Sequence, residues 1–379
     1  MKTKQLLIIP ALLLLVFSGC NVNNRGKVKH PAFIAWSSMT LEVDQVELTD
    51  TTTVLYIKAY YPPKNWIKID PDSYLADENG NQYPIRSSEG IVLGEEFYMP
   101  ESGETAFVLT FPAIPATVSS IDFSEGNFDG AFNIWGIRLT DKKWPALELP
   151  KGFTKPLAGE HAVLPQPEFK NGTARIDGRI LNYQKGMPKE LSVQLSSPFN
   201  SDAATLQIDE KGLFSGEIEA FSTHPATVYL FGQGIQCFVA PGETTSLIIN
   251  PVEVSRRQSR LRVDEESGGE PVYHGGYLAA LSRELSGVQA VYSLNSFESY
   301  ESFLSFLKSI ENKNPEELKH LFLENYREKQ TVLDTLNVSP AGKQYLACAT
   351  DLYYAQQISS ITSYIDRAYI HKNNLMENR

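Results

Sequence analysis

The chain has 379 residues, a formal net charge of −11, 42% hydrophobic and 21% charged residues, a composition that buries apolar cores and excludes a disordered, collagen-like or low-complexity protein. Acidity without a basic stripe excludes a nucleic-acid binder, because phosphate neutralisation needs clustered Lys and Arg. Three cysteines, at 20, 237 and 348, allow neither a disulfide framework nor a cysteine-based zinc site.

The N-terminus carries an export signal. Lys2 and Lys4 precede an apolar stretch from Leu6 to Phe17, and Ser18-Gly19-Cys20 closes it with small residues. That order is a secretory leader. The apolar stretch is well short of the ~20 residues that span a bilayer, and Asn21, Asn23, Asn24 and Arg25 follow at once. The Cys directly after Ser-Gly resembles a bacterial lipoprotein signal, although Phe17 stands where such signals usually have Leu. The resemblance implies cleavage after residue 19, lipidation of Cys20 and attachment to the membrane. Several acyl chains on one residue anchor stably, each buried CH₂ contributing ~0.8 kcal/mol. Loss of Lys2 and Lys4 leaves a mature charge of −13. Residues 20–30 are polar and predict a tether. They lack an acidic run of the kind surface-exported lipoproteins often show, so an outer-membrane location facing the periplasm is expected.

Residues 31–145 predict a first β-sandwich. In Val54 to Tyr61, Leu55, Ile57, Ala59 and Tyr61 share one face. Tyr74-Leu75-Ala76 and Gln82-Tyr83-Pro84-Ile85 flank Asp77-Glu78-Asn79-Gly80-Asn81, a hairpin loop with Gly available for positive φ. Phe107, Leu109 and Phe111 alternate with polar or smaller residues, and Ile121, Phe123, Trp135, Ile137 and Leu139 complete the segment. Prolines at 145, 150, 156, 165 and 167 mark a boundary. Residues 160–254 predict a second, small sandwich of short strands, from Ala174–Ile180 to Ser246–Ile249, with a turn at Asp209-Glu210-Lys211-Gly212.

After a polar stretch with Arg256, Arg257, Arg260 and Arg262, residues 273–379 predict helices. Tyr300, Phe303, Leu304, Leu307 and Ile310 follow helical spacing. Pro315 starts a second segment with Leu318, Leu321, Phe322 and Tyr326. Pro340 starts a third, carrying Tyr345, Ala349, Leu352, Tyr353 and Ile361. Proline suits a helix start, where its missing N–H costs nothing. The fold class read from the sequence is therefore multidomain β plus α, with two β-sandwich-like domains followed by a helical segment.

This order, with the runs Thr40-Leu41-Glu42-Val43-Asp44, Tyr98-Met99-Pro100-Glu101-Ser102-Gly103-Glu104 and Phe132-Asn133-Ile134-Trp135-Gly136-Ile137, resembles the N-terminal part of Bacteroidetes-type thioredoxin-like disulfide oxidoreductase lipoproteins. In that family a thioredoxin domain with a Cys-x-x-Cys site follows the helices. No Cys-x-x-Cys occurs among these 379 residues, so no catalytic residue carries over. The resemblance also implies a helical surface left uncovered, and hence either self-association or a partner through the C-terminal helices, with the final one from Pro340 as the expected contact.

Other chemistry is sparse. There is no Gly-x-Ser-x-Gly elbow, His-Glu-x-x-His or P-loop. Gly232-Gln233-Gly234 lacks the third glycine of a dinucleotide loop and reads as a hairpin turn. Histidines 30, 161, 224, 274, 320 and 371 lack ligand spacing and read as surface residues. Glu125, Asn127, Asp129 and Gly130 look like the start of a calcium loop, but Gly136 stands where the bidentate Glu belongs. Cys237 and Cys348 read as buried small hydrophobes rather than nucleophiles. Trp36, Tyr60, Tyr61 and Trp66 are either core aromatics or a platform for a sugar or protein. The expected function is a lipid-anchored envelope protein with non-catalytic β-domains that bind a protein or glycan, without cofactor or metal. The alternative is a thiol–disulfide oxidoreductase family member whose redox domain is missing from this chain, either lost or supplied elsewhere.

Overall fold

The computed structural model describes residues 24–128, 130–140, 149, 153, 164–196, 201–288, 292–294, 300–373 and 375. The chain divides into two compact units. Unit 1 runs to residue 142 and also contains Ser259–Val263; unit 2 contains the rest.

Unit 1 comprises β1 (Asn24–Lys29), β2 (Ala35–Trp36), β3 (Leu41–Thr49), β4 (Thr52–Tyr60), β5 (Trp66–Ile67), β6 (Tyr74–Asp77), β7 (Gln82–Pro84), β8 (Ser87–Glu89), β9 (Phe97–Tyr98), β10 (Glu104–Pro112), β11 (Ser120–Ser124) and β12 (Asn133–Arg138). Among the described residues these form antiparallel sheets in the orders β1-β3-β4-β10-β8 and β2-β12-β11-β6-β7, plus a ribbon of β5 and β9. Alternation explains the packing. Leu55, Ile57 and Ala59 of β4 and Phe107, Leu109 and Phe111 of β10 turn inward onto Leu75, Ile121, Phe123, Ile134 and Ile137 of the second sheet. Phe111 meets Phe123 edge-on at 6.4 Å. Tyr61, expected on the inward face, lies past the end of β4 and is exposed.

The expected tether is partly a strand. β1 pairs with β3, setting Lys27 opposite Glu47, and the two side chains form an ion pair of 2.9 Å. Its pairing partner lies inside the sandwich sequence, so polarity alone concealed it. The hairpin at 77–81 forms as expected, with Gly80 at φ +84°. The buried Asp77 carboxylate accepts from the N–H groups of Asn79 and Asn81, from Asn81 Nδ2 and from the Tyr83 hydroxyl. In β12, Gly136 sits at φ +67° beside a register shift opposite Asp122, whose carboxylate accepts its N–H at 2.7 Å. A Cβ there would come within 2.5 Å of Ile34. The bulge lets Ile134, Trp135 and Ile137 all be buried, which strict alternation forbids.

Unit 2 comprises β13 (Gly172–Ile180), β14 (Glu190–Ser196), β15 (Ser201–Gln207), β16 (Leu213–Ala220), β17 (His224–Leu230), β18 (Gln233–Val239), β19 (Thr244–Ile249), α1 (Pro251–Gln258), β20 (Val272–Gly276), α2 (Ala279–Val288), α3 (Tyr300–Ile310), α4 (Pro315–Thr335), α5 (Pro340–Ser359) and α6 (Ile361–Lys372). Its sheets run β16-β13-β19-β20 and β15-β14-β17-β18, with β13 and β19 parallel. The protein is thus a multidomain β-plus-α chain, with β-sandwich-like domains followed by helices. The segment expected to be helical from 273 opens instead with β20, which completes the β19 sheet edge through Leu247 opposite His274. Five residues with two glycines escape a periodicity search. The proline boundary expected from 145 to 167 lies mostly outside the described residues.

Helix starts are where the prolines predict them. Asn314 and Glu317 form a reciprocal capping box before α4, and Ser339 caps α5 by accepting from Gly342 N–H. The third predicted helix breaks at Ser360 into α5 and α6. Its inward face matches the expected stripe only in part: Tyr345 and Tyr353 pack against buried clusters and Leu352 is 72% exposed, while Leu346, Thr350, Tyr354, Gln357 and Ile361 are buried. Two of those five are polar, and each has a partner. The hydroxyls of Thr350 and Tyr292 are 2.5 Å apart, and Tyr364 donates to Gln357 Oε1 at 2.7 Å. Among the described residues no helix is long and apolar enough to cross a membrane.

The polar arginine stretch is engaged throughout. In α1 the buried Glu253 carboxylate holds Arg256 and Arg257 and also accepts from Ser267 Oγ and Gly268 N–H. Residues 259–263 pack in unit 1. There the buried Glu42 carboxylate accepts from Ser259 Oγ (2.6 Å), Arg260 N–H (2.8 Å) and Leu261 N–H (3.3 Å). Arg260 lies 4.3 Å over the Tyr60 ring, and Arg262 lies 5.4 Å from the centre of Phe33. Glu42→Ala strips the donors of their partner at a cost of about 2 kcal/mol. Opening of the segment then becomes roughly thirtyfold more frequent, so trypsin should cut after Arg260 and Arg262 that much faster when opening is rapid. An unchanged cleavage pattern contradicts this role for Glu42.

Candidate functional site

The site begins with two very short strands. Trp66 stands opposite Tyr98, and Ile67 opposite Phe97, in the β5–β9 ribbon. The period of two divides these residues between faces. Ile67 and Met99 enter the core of unit 1, with Phe97 packed against it. Trp66 (48% exposed) and Tyr98 (61% exposed) project from the other face. The ribbon is extended by Lys64 N–H donating to Met99 C=O and Met99 N–H donating to Asn65 C=O. Lys64 adopts φ +66°, reversing the chain into β5. The Met-Pro-Glu-Ser-Gly-Glu run anchors this ribbon through Met99, turns through Gly103 N–H donating to Pro100 C=O, and enters β10 at Glu104.

The rim is polar. Tyr98 donates its hydroxyl proton to Glu96 Oε2 at 2.7 Å, and that bond holds the phenol pKa above its ordinary value. Lys64 and Glu101 pair at 3.3 Å while both remain exposed, a geometry that contributes little energy. Two aromatic surfaces side by side with carboxylates at their edges suit a ligand that offers C–H surface and hydrogen-bond donors.

The four aromatics singled out in the sequence separate. Trp36 is 1% exposed and packs on Phe33 at 4.8 Å. Tyr60 lies beneath Arg260, its hydroxyl pKa raised by burial and then by Glu42 and Glu104. Tyr61 and Trp66 are exposed. Tyr98 completes the pair, and sequence reasoning missed it as a site residue. The signal was the alternation of Tyr98 with Phe97 and Met99, over a run too short to measure a period.

Cys20, His161 and Asp129 lie outside the described residues. Glu125 is buried and accepts from Phe132 N–H, while Asn127 accepts from the Tyr74 hydroxyl. Desolvation raises the Glu125 pKa. Among the described residues no group of three His, Cys, Asp or Glu side chains is placed to hold a metal. Gly232 lies in the β17–β18 turn, with Gln233 opposite Leu230 and Gly234 opposite Tyr229. His274, expected at the surface, is buried in β20, and desolvation followed by the charge of Arg283 lowers its pKa to about 4.

The thiols differ from each other. Cys237 is buried in β18, where desolvation pushes its pKa up to about 12. Cys348, expected to be buried, is exposed, because the inward face of α5 is set by Leu346 and Thr350. A maleimide should therefore label Cys348 in the native protein and Cys237 only after unfolding. Mass spectrometry checks this, and equal native labelling of both contradicts the burial of Cys237.

No family model and no curated protein matches the chain. Among solved structures, a pullulanase from Anoxybacillus sp. LM18-11 aligns at 12% identity over 49% of this chain and 24% of its own, with a TM-score of 0.18. Pullulanase type I from Bacillus subtilis str. 168, complexed with maltose, aligns at 10% identity over 49% and 23%, also with a TM-score of 0.18. The chain thus spans under a quarter of the length of these two proteins, and likeness at that level carries no argument about fold or function.

Proposed function

We propose that this is a lipid-anchored cell-envelope protein, attached through Cys20, whose β-domains bind a protein or glycan partner without catalysing a reaction. The observation that carries the binding reading is the pairing of Trp66 with Tyr98, both turned outward where Ile67, Phe97 and Met99 pack inward. Exposed aromatics on a stiff support supply contact area with few torsions to order on binding. The anchoring reading rests on Lys2, Lys4, the apolar stretch to Phe17 and Ser18-Gly19-Cys20. Thiol–disulfide exchange is disfavoured at Cys237, since an attacking thiol needs a lowered pKa and Cys237 has the reverse.

Two tests separate the parts of this reading. Cys20→Ala should abolish labelling by a clickable fatty acid; persistent labelling overturns the anchor. Replacing Tyr98 by the photo-crosslinker p-benzoylphenylalanine in growing cells should give a discrete adduct. That adduct should fall by about tenfold with Trp66→Ala, the loss expected when ~1.4 kcal/mol of aromatic contact is removed. No adduct beyond that of the same crosslinker at exposed Tyr369 overturns the binding site.

A further inference from the structure

A second aromatic feature lies in unit 2, on the outer face of the β15-β14-β17-β18 sheet. Register places Thr205, Ser192, Tyr229 and Gly234 in one row across its four strands. Their neighbours Leu191, Val193, Leu206, Val228 and Leu230 are buried, so this row faces outward. Tyr229 is 42% exposed. Its ring edge lies against Gly234, where a Cβ would come 3.3 Å from Tyr229 Cε1 and 2.9 Å from Thr227 Cγ2. The missing side chain thus lets the ring lie down on the sheet, an aromatic covering a cross-strand glycine.

Beside that ring is a cavity of about 240 Å³, lined by Glu190, Ser192, Thr205, Tyr229, Phe231 and Gly232 among others. Phe231 and Gly232 form the two-residue turn of the β17–β18 hairpin, at φ +51° and +70°. Such turns favour Asn or Asp followed by Gly, and a bulky residue at positive φ is an outlier. The fold accepts this backbone while seating Phe231 at the cavity. Among the described residues the hydroxyls of Ser192, Thr205 and Tyr229 have no protein hydrogen-bond partner. Glu190 accepts from Gln207 Nε2 at 3.2 Å through one carboxylate oxygen.

The chemistry of this lining selects its occupant. It contains no cation, so phosphates, sulfates and uronates meet only the Glu190 carboxylate. β14 and β17 are interior strands whose backbone groups are engaged in the ladder, so an extended peptide finds no edge to join. Drug-sized apolar ligands occupy pockets of about 300–1,000 Å³, whereas this cavity is smaller, and beside Pro188, Leu191, Leu230 and Phe231 its lining carries the Glu190 carboxylate and the hydroxyls of Ser192, Thr205 and Tyr229. An uncharged sugar ring matches every element. Its C–H face stacks on Tyr229, its hydroxyls pair with Ser192, Thr205 and the phenol, and one donates to Glu190, a charge-assisted bond. We propose that this row and its cavity form a binding site for a neutral glycan, separate from the Trp66–Tyr98 pair and independent of what that pair binds.

The test titrates the full chain calorimetrically with linear hexasaccharides of glucose, xylose, mannose, galactose and N-acetylglucosamine, and with hexagalacturonate as the charged control. At least one neutral hexasaccharide should bind. Tyr229→Ala should weaken it by about tenfold, while Tyr229→Phe, which keeps the ring, should stay within about threefold. Thr205→Arg, at an exposed position, should block the cavity without touching the core, so a failure of Tyr229→Ala to fold leaves the proposal open to refutation. Trp66→Ala should leave this affinity unchanged. No neutral binding at up to about 10 mM, binding indifferent to both Tyr229→Ala and Thr205→Arg, or tighter binding of hexagalacturonate overturns it. Binding lost in Trp66→Ala but kept in Tyr229→Ala assigns the glycan to unit 1 and sinks this site while sparing the first.

Discussion

A β-strand sends consecutive side chains to opposite faces, and in this protein that constraint couples what is buried to what is displayed. Ile67 enters the core of unit 1 and thereby turns Trp66 outward. Phe97 and Met99 do the same for Tyr98. In unit 2, Val228 and Leu230 are buried on one face, and Tyr229 between them is left on the other. Shifting either strand by one residue would bury the aromatic and expose its hydrophobic neighbours, so the apolar core fixes the register of each site.

A second constraint comes from buried carboxylates. Glu42, Asp77 and Glu253 are each nearly removed from solvent and each accepts several hydrogen bonds. For Asp77 and Glu253, burial raises the carboxyl pKa, but the donors outweigh it and leave both below their ordinary values. A carboxyl depressed in the folded state stabilises the fold above its unfolded pKa and loses that contribution as pH falls through its folded value. Both groups therefore hold their loops at neutral pH and release them only in acid. In each case the donors include backbone N–H groups of an irregular segment, which has no ladder to satisfy them. The acids thus do for the turns what strand pairing does for the sheets.

Much of the architecture was legible because periodicity is strong where one face is buried. β4, β10 and β14 alternate cleanly, and α4 and α5 begin at prolines preceded by capping residues. What stayed hidden has physical reasons. β5 and β9 are two residues each, too short to display a period. β1 and β20 pair with strands elsewhere in the sequence, so their own composition says little. The inward face of α5 includes Thr350 and Gln357, whose burial is made possible by the hydroxyls of Tyr292 and Tyr364, and no hydrophobicity pattern reports that. The aromatic candidates were visible as residues, but exposure depends on what packs against them. Trp36 and Trp66 look alike in sequence and have opposite fates.

The two aromatic surfaces also differ in how firmly they are held. An isolated two-stranded ribbon is marginal in water, so the Trp66–Tyr98 pair depends on Ile67, Phe97 and Met99 packing on the sandwich beneath it. Tyr229 sits in an interior strand paired on both sides, with its ring edge against Gly234. Its rotamer freedom is largely spent on folding rather than on binding, which lowers the ordering cost of capturing a ligand. A rigid ring suits a small, weakly bound unit such as one sugar of a chain, where little interaction energy is available to offset ordering. The ribbon, with two rings, one of them an indole, and charged side chains at its rim, offers more area with more adjustment, which suits an extended partner. The physical distinction between the sites is therefore one of preorganisation, and it originates in strand length and in a single glycine.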